Sequence, residues 1–377
     1  MKNIWSLFVI GLLTAVLSAC SAPAEKPETG EQWSVEKANE WYEDQGVLIG
    51  ANYTPRTAIN QLEMWQEETF DPETIDQELG WAADLGFNSM RVYLHDLAWK
   101  ADPEGFIQRV EKFLDIAESH DIGIMFVLFD GVWHPYPEIG EQPEPEPHVH
   151  NSGWVQGPSI DVLSDTTQWG YLEDYLKDVM GHFSDDERVQ VWDIYNEPDN
   201  DNERAYGDIN LDNKFEHSLG LLKKSFAWAR EVNPSQPITS GLWHGDWSDT
   251  DSMSEMDIFM VENSDVITFH CYEGPEIMKE RIQALKRYDR PMFVTEYMAR
   301  PRGSTFENEL PILMEHNVGA YNWGFVNGKT QTIYPWDSWD KEYTSEPDPW
   351  FHDVLRADGT PYKSSEVELI KKYTSEL

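Results

Sequence analysis

Only two cysteines, Cys20 and Cys271, stand in 377 residues. A disulfide framework is therefore excluded, and any compact fold must rest on the size of its hydrophobic core. Basic residues are also scarce: 28 Lys and Arg face 69 Asp and Glu, a formal net charge of −41. A chain this acidic repels the phosphates of nucleic acid and the head groups of anionic membranes, so charge argues against both as partners. The acids are spread along the whole chain, which reads as a solvated surface rather than a cation store. Beyond the first twenty residues no apolar run approaches the length of a membrane span.

The exception is the start. After Met1-Lys2-Asn3 the chain is almost unbroken apolar from Ile4 to Leu17 and closes on Leu17-Ser18-Ala19-Cys20, the pattern of a secretory signal. Leu-Ser-Ala-Cys resembles the bacterial lipobox, which implies that Cys20 becomes a lipid-carrying first residue. By the same resemblance, Ser21 favours the outer membrane. Residues 1–19 are expected to be the signal and residues 20–32, without large apolar side chains over Ser21–Glu31, a flexible tether. Residues 33–377 are expected to fold as one domain. With 40% hydrophobic and 13% aromatic content, they can supply one large core without disulfides.

From Trp33 onward, short apolar β-rich runs alternate with helical patterns. Gly46–Tyr53, Asn88–Leu94, Ile122–Phe129, the stretch Val189–Asn200 with Glu197 at the strand tip, Pro237–Leu242, Val266–His270, Pro291–Thr295 and Val318–Trp323 predict eight strands. Asp71-Pro72 and Asp102-Pro103 mark helix starts, an N-cap followed by proline at the first helical position, and further helices are expected over Ser164–Phe183, Asn213–Val232 and Ser364–Tyr373. Eight strands each followed by a helix predict an α/β fold, a closed (β/α)8 TIM barrel.

Two of these runs end abruptly on an acid. Val189–Asn200 reads V-Q-V-W-D-I-Y-N-E-P-D-N and delivers Glu197 just past Asn196; Pro291–Arg300 reads P-M-F-V-T-E-Y-M-A-R and delivers Glu296. Carboxyl-terminal strand ends are where α/β barrels carry their chemistry. Two facing carboxylates there can protonate a leaving oxygen and attack, or activate water against, the same carbon. Asn196-Glu197-Pro198 and Thr295-Glu296-Tyr297 resemble the clan of (β/α)8 glycoside hydrolases that places its acid/base after an Asn on strand 4 and its nucleophile on strand 7. Within that clan they most resemble the cellulase-like family 5. The resemblance implies a retaining β-glycoside hydrolase, with Glu197 as acid/base and Glu296 as nucleophile, acting on a β-linked poly- or oligosaccharide and using no cofactor or metal.

Arg91 on strand 2, His270-Cys271-Tyr272 after strand 6 and Trp323 after strand 8 stand where family 5-like enzymes carry Arg, His-x-Tyr and Trp, and the resemblance makes them substrate-site residues. A guanidinium inside a strand needs a carboxylate partner wherever its function lies. Asn196, Asn52 at the end of strand 1, Asp130, Trp133 and His134 after strand 3, and Trp243 after strand 5 complete the expected sugar-contacting set. The chain departs from the family at Asp130, where many members carry a His. His148-x-His150 lacks a third ligand nearby and is not read as a metal site. The long stretch Gly131–Asp161, rich in proline, is expected to form one wall of the site and to favour short substrates or chain ends. The competing reading is a surface protein that binds glycans on an inactive barrel. A serine esterase is disfavoured by the lack of a G-x-S-x-G elbow. Anionic polysaccharides are disfavoured by charge unless Arg and Lys cluster in the site.

Overall fold

The computed structural model describes residues 31–376. The signal segment and Cys20 lie outside the described residues. The eight strands are β1 Ile49–Tyr53, β2 Ser89–Tyr93, β3 Gly123–Asp130, β4 Val189–Asn196, β5 Ile238–Thr239, β6 Ile267–Cys271, β7 Met292–Tyr297 and β8 Gly319–Asn322. All neighbours pair in parallel, in the order β5-β4-β3-β2-β1-β8-β7-β6. Closure between β5 and β6 comes from a bridge between Leu242 and Phe269, with the Leu242 and His270 amides donating to Thr268 O and Leu242 O.

Parallel strands are buried on both faces, and here apolar residues fill most positions while Asn52, Arg91, Asp193 and Glu296 stand among them. One core lies between strands and the surrounding helices. A second fills the lower barrel: Leu48, Met125, Val191, Val266, Phe293 and Tyr321 meet there, plugged from below by Tyr42 of the helix Val35–Gln45. The upper layer of the interior is polar, and it carries the site. Asp71 and Asp102 cap their helices as the Asp-Pro pairs predict, accepting from the Thr74 and Gly105 amides. The helix Val35–Gln45 carried no start signal that sequence reading used.

Three expectations need correction. Strand 5 pairs regularly only over Ile238–Thr239, not to Leu242. Ser240 diverts the ladder: its amide donates to the Ser264 hydroxyl and its own hydroxyl to Tyr195 O. The helix expected over Ser164–Phe183 starts later, at Trp169, and runs to His182, preceded by a separate short helix Ile160–Ser164 and a 3-10 turn Thr166–Gln168. Asp165 stands between them, its carboxylate taken by Thr167 and Gln168, and such a local bond competes with helical pairing. Gln32, placed in the tether, already docks: its amide donates to Ser264 O at 2.6 Å.

Close strand approach at the barrel wall sets a test. A β-carbon on Gly50 of β1 would sit 1.7 Å from the Ser89 carbonyl oxygen, whereas one on Gly170, exposed near a helix start, would meet nothing within 4 Å. Gly50→Ala is expected to cost about 3 kcal/mol or more in denaturant unfolding, and Gly170→Ala to leave stability unchanged or raised. Equal effects would contradict the packing described.

Candidate active site

The polar upper layer is centred on Arg91. Its side chain, 1% exposed, points from the middle of β2 into the barrel, and every donor is used. Nε and Nη2 reach Asp193 Oδ2 at 3.0 and 2.8 Å, and Nη2 also reaches Asn196 Oδ1 at 2.8 Å. Nη1 reaches Asn52 Oδ1 at 2.8 Å, the Tyr93 hydroxyl at 2.6 Å and Glu296 Oε1 at 3.0 Å. The carboxylate that Arg91 required is therefore supplied by β4, with the tip of β7 adding a second. Burial outweighs Arg91 at Asp193 and holds its carboxyl above the ordinary aspartate value.

Glu296 ends up as an acceptor three times over. Tyr93 OH donates to Oε1 at 2.9 Å, beside Arg91, and Tyr272 OH to Oε2 at 2.7 Å. Glu197 is set differently: Oε1 lies 2.7 Å from His270 Nδ1 and Oε2 accepts from Asn200 Nδ2 at 2.6 Å. His270 stands between the two acids, its Nε2 3.6 Å from Glu296 Oε1. An oxygen of each carboxylate and a ring nitrogen of His270 all lie within 4.8 Å of one another. The set could hold a metal by distance alone, but Glu296 already has Arg91 as its cation.

Glu197 sits at φ +41°, a left-handed conformation that is sparsely populated and recurs at functional sites. What holds it is the tip of β3. The Gly131 amide donates to Asn196 O at 2.8 Å, and a β-carbon on Gly131 would meet Glu197 O at 2.2 Å, so only glycine allows this approach. Lys214, buried on the helix Lys214–Val232, clamps the same corner, donating to Gly131 O at 2.6 Å, Asn200 O at 2.5 Å and Gln156 Oε1 at 3.0 Å. Burial pulls its pKa down to about 7 against nearby acids.

The carboxylates face a cavity of about 390 Å³. Asp130, Trp133, Trp243, Trp323, Tyr272 and His270 line it with Asn196, Glu197 and Glu296. Of the other residues expected here, Arg91 lies below the floor. Asn52 lies outside the lining and spends its amide on Thr295 O and Asn322 O, which makes it a support for Arg91. His134 points away and packs edge-on to Tyr206 at 5.0 Å. Asp130 reaches the cavity with its acceptor capacity filled: Asn196 Nδ2 and the Val132 amide bond Oδ1, Trp154 Nε1 and Gln61 Nε2 bond Oδ2. Burial pushes its carboxyl up to about 7 although all four donors favour the anion. His148 and His150 rest on the carbonyls of Tyr343 and Tyr334.

Sequence reading missed Tyr93, Asn200, Lys214 and Asp193. Tyr93 follows Arg91 by two on one strand, hence on the same face, and Asn200 follows Glu197 by three in the same tight turn; both spacings were readable. Lys214 is one lysine among the polar positions of a helix and carried no signal.

Comparison with known proteins places this geometry. The family model described as Glycosyl hydrolase family 10 matches residues 147–263, under a third of the chain, a stretch that includes Glu197 but not Glu296. No curated protein sequence matches. Among solved structures, the exo-β-1,4-mannosidase of Opitutaceae bacterium strain TAV5 superposes with a TM-score of 0.57 at 18% identity, covering 88% of this chain; the chain spans 59% of that protein's length. A GH5_18 protein from Streptomyces cattleya, in complex with GlcNAc, gives 0.57 at 11% identity, covering 88% of this chain and 81% of the other. The hyperthermostable endo-1,4-β-D-mannanase of Thermotoga petrophila RKU-1 gives 0.54 at 15% identity, covering 88% and 100%. At these identities the likeness is one of fold, and the fold is the TIM barrel.

The Arg91 network can be tested without a substrate. Arg91→Met keeps the bulk but strands Asp193 as a buried, unpaired charge, and is expected to cost about 3–5 kcal/mol in denaturant unfolding. A loss under about 1 kcal/mol would mean that the ion pair is not the keystone described.

Proposed function

We propose that the chain is a retaining β-glycoside hydrolase. The observation that carries this reading is the pair Glu197 and Glu296, on facing strand ends, with an oxygen of each and a nitrogen of His270 all within 4.8 Å of one another. Retention uses carboxyls about 5 Å apart, whereas inversion leaves about 6.5–9.5 Å for a water between acid and base.

The different surroundings of the two acids divide the labour. Glu296, held by one guanidinium and two hydroxyls, attacks the anomeric carbon with an oxygen lone pair. Glu197, held by an imidazole and an amide, gives its proton to the departing glycosidic oxygen as that bond breaks. The same carboxylate then takes a proton from water, which attacks the anomeric carbon and releases Glu296. The sugar rests against the Trp323 indole, and Asn196, whose Nδ2 donates to Asp130 Oδ1, lines the same cavity. The substrate is a β-linked glycan; the lining carries Asp130, Glu197 and Glu296, and its two arginines, Arg204 and Arg302, are each paired with an acid, Asp340 and Glu273. The mannosidase and the mannanase among the superposed structures make β-mannosides the first sugars to try. The N-terminal motif ending on Cys20 supports export and lipid anchoring to the outer membrane, which fractionation of the full chain would contradict if the protein were soluble and unlipidated.

Glu296→Ala is expected to lose turnover of every substrate. Glu197→Ala is expected to lose about 10²–10⁴-fold on unactivated glycosides, keep glycosylation by aryl glycosides with good leaving groups, and regain activity with azide. If Glu197→Ala were equally inactive on both substrate kinds, the acid/base assignment would be wrong; glycan affinity without turnover in the intact protein would favour the binding-protein reading.

A further inference from the structure

We propose, resting on the hydrolase reading above, that the site admits a single sugar residue on its glycone side, so that the enzyme removes monosaccharides from non-reducing chain ends. A groove that cuts polymers internally must cross the whole barrel mouth. Here it does not. Among the described residues, the cavity around Glu197 and Glu296 is lined from the ends of β3 through β8 and by nothing from β1 or β2. The tips of β1 and β2, with Tyr53 and Tyr93, open instead into a separate space of about 20 Å³ beneath Asn151, Trp154 and Trp323. Trp154 and Trp323 pack edge-on at 5.9 Å, and each packs edge-on against Tyr93, at 5.3 and 5.9 Å, so three aromatic rings close that half of the mouth.

The loop after β3 and the loop after β8 lock together over this closure. The Asn151 amide donates to Thr330 O at 2.8 Å, the His150 amide to Ser338 Oγ at 3.0 Å, Trp339 Nε1 to His150 O at 2.9 Å and Gln331 Nε2 to Glu146 O at 2.6 Å. Trp133 stacks on Trp339 with centroids 5.7 Å apart and planes within 19°. Bonds between two loops, with prolines limiting the freedom of one of them, make a wall that keeps its shape rather than a mobile flap.

The chemistry fixes which end of the substrate meets the wall. The ring attacked by Glu296 lies against Trp323, and Trp323 belongs to the closed side. The departing oxygen faces Glu197, beyond which stand Trp243 and the half-exposed His244 of the loop after β5, both in the lining. The leaving chain therefore extends towards β5 and solvent, and a second residue on the glycone side would meet Trp154 or the Trp133–Trp339 pair.

The test uses the intact protein on β-1,4-linked manno- and gluco-oligosaccharides in three forms: free, reduced at the reducing end, and blocked at the non-reducing end. Aryl β-glycosides are run alongside. Stepwise release of monosaccharide from free and end-reduced chains, with none from blocked chains, is expected. Mixed oligosaccharides, or release indifferent to the block, would overturn this inference while leaving the hydrolase standing. No turnover of any oligosaccharide or aryl glycoside would overturn the hydrolase reading and this inference with it.

Discussion

A buried guanidinium is the constraint on which the site depends. Moving a cation into a barrel interior costs several kcal/mol even after relaxation, and Arg91 is tolerated only because acceptors from four strands converge on it: Asn52 from β1, Tyr93 from β2, Asp193 and Asn196 from β4, and Glu296 from β7. Each acceptor is fixed in turn by needing that donor. The network thereby sets the distance between the two carboxylate-bearing strands. Removing any member leaves buried polar groups unpaired, so the arrangement is rigid because its alternatives are costly.

Above this floor the same logic of paired buried groups builds the walls. Asp130 gathers Asn196, Trp154 and Gln61 onto one carboxylate, which couples the floor of the site to the long loop after β3. Lys214 couples that loop to the turn carrying Glu197. Where the resembled family often carries a histidine after strand 3, this chain has Asp130, which accepts from Asn196, Val132, Trp154 and Gln61. It holds its neighbours in place, while Asn196 and Trp323 line the cavity.

The barrel was legible in the sequence because parallel strands buried on both faces are largely apolar, and because Asp-Pro pairs mark helix starts. Glu197 and Glu296 were legible as acids that end such runs. The less legible parts share one cause, namely that their roles depend on partners distant in sequence. Nothing local distinguishes Asn52 as a prop for Arg91 from Asn52 as a sugar contact; only the carbonyls of Thr295 and Asn322, more than two hundred residues away, decide it. Lys214 and His134 are alike in this respect. The early end of β5 and the late helix start after Asp165 came from serine, threonine and aspartate side chains competing with backbone pairing, an effect weaker than the apolar pattern that set the expectation.

Double displacement requires Glu296 to form a covalent bond to the anomeric carbon. Incubation with a 2-deoxy-2-fluoro β-glycoside carrying a good leaving group slows release of that intermediate, and mass spectrometry of the digested protein locates it. The account predicts one added fluoroglycosyl mass on the peptide containing Glu296, absent from Glu296→Ala. Label on Glu197 instead, or turnover of the same sugar's aryl glycoside with inversion at the anomeric carbon, would contradict it.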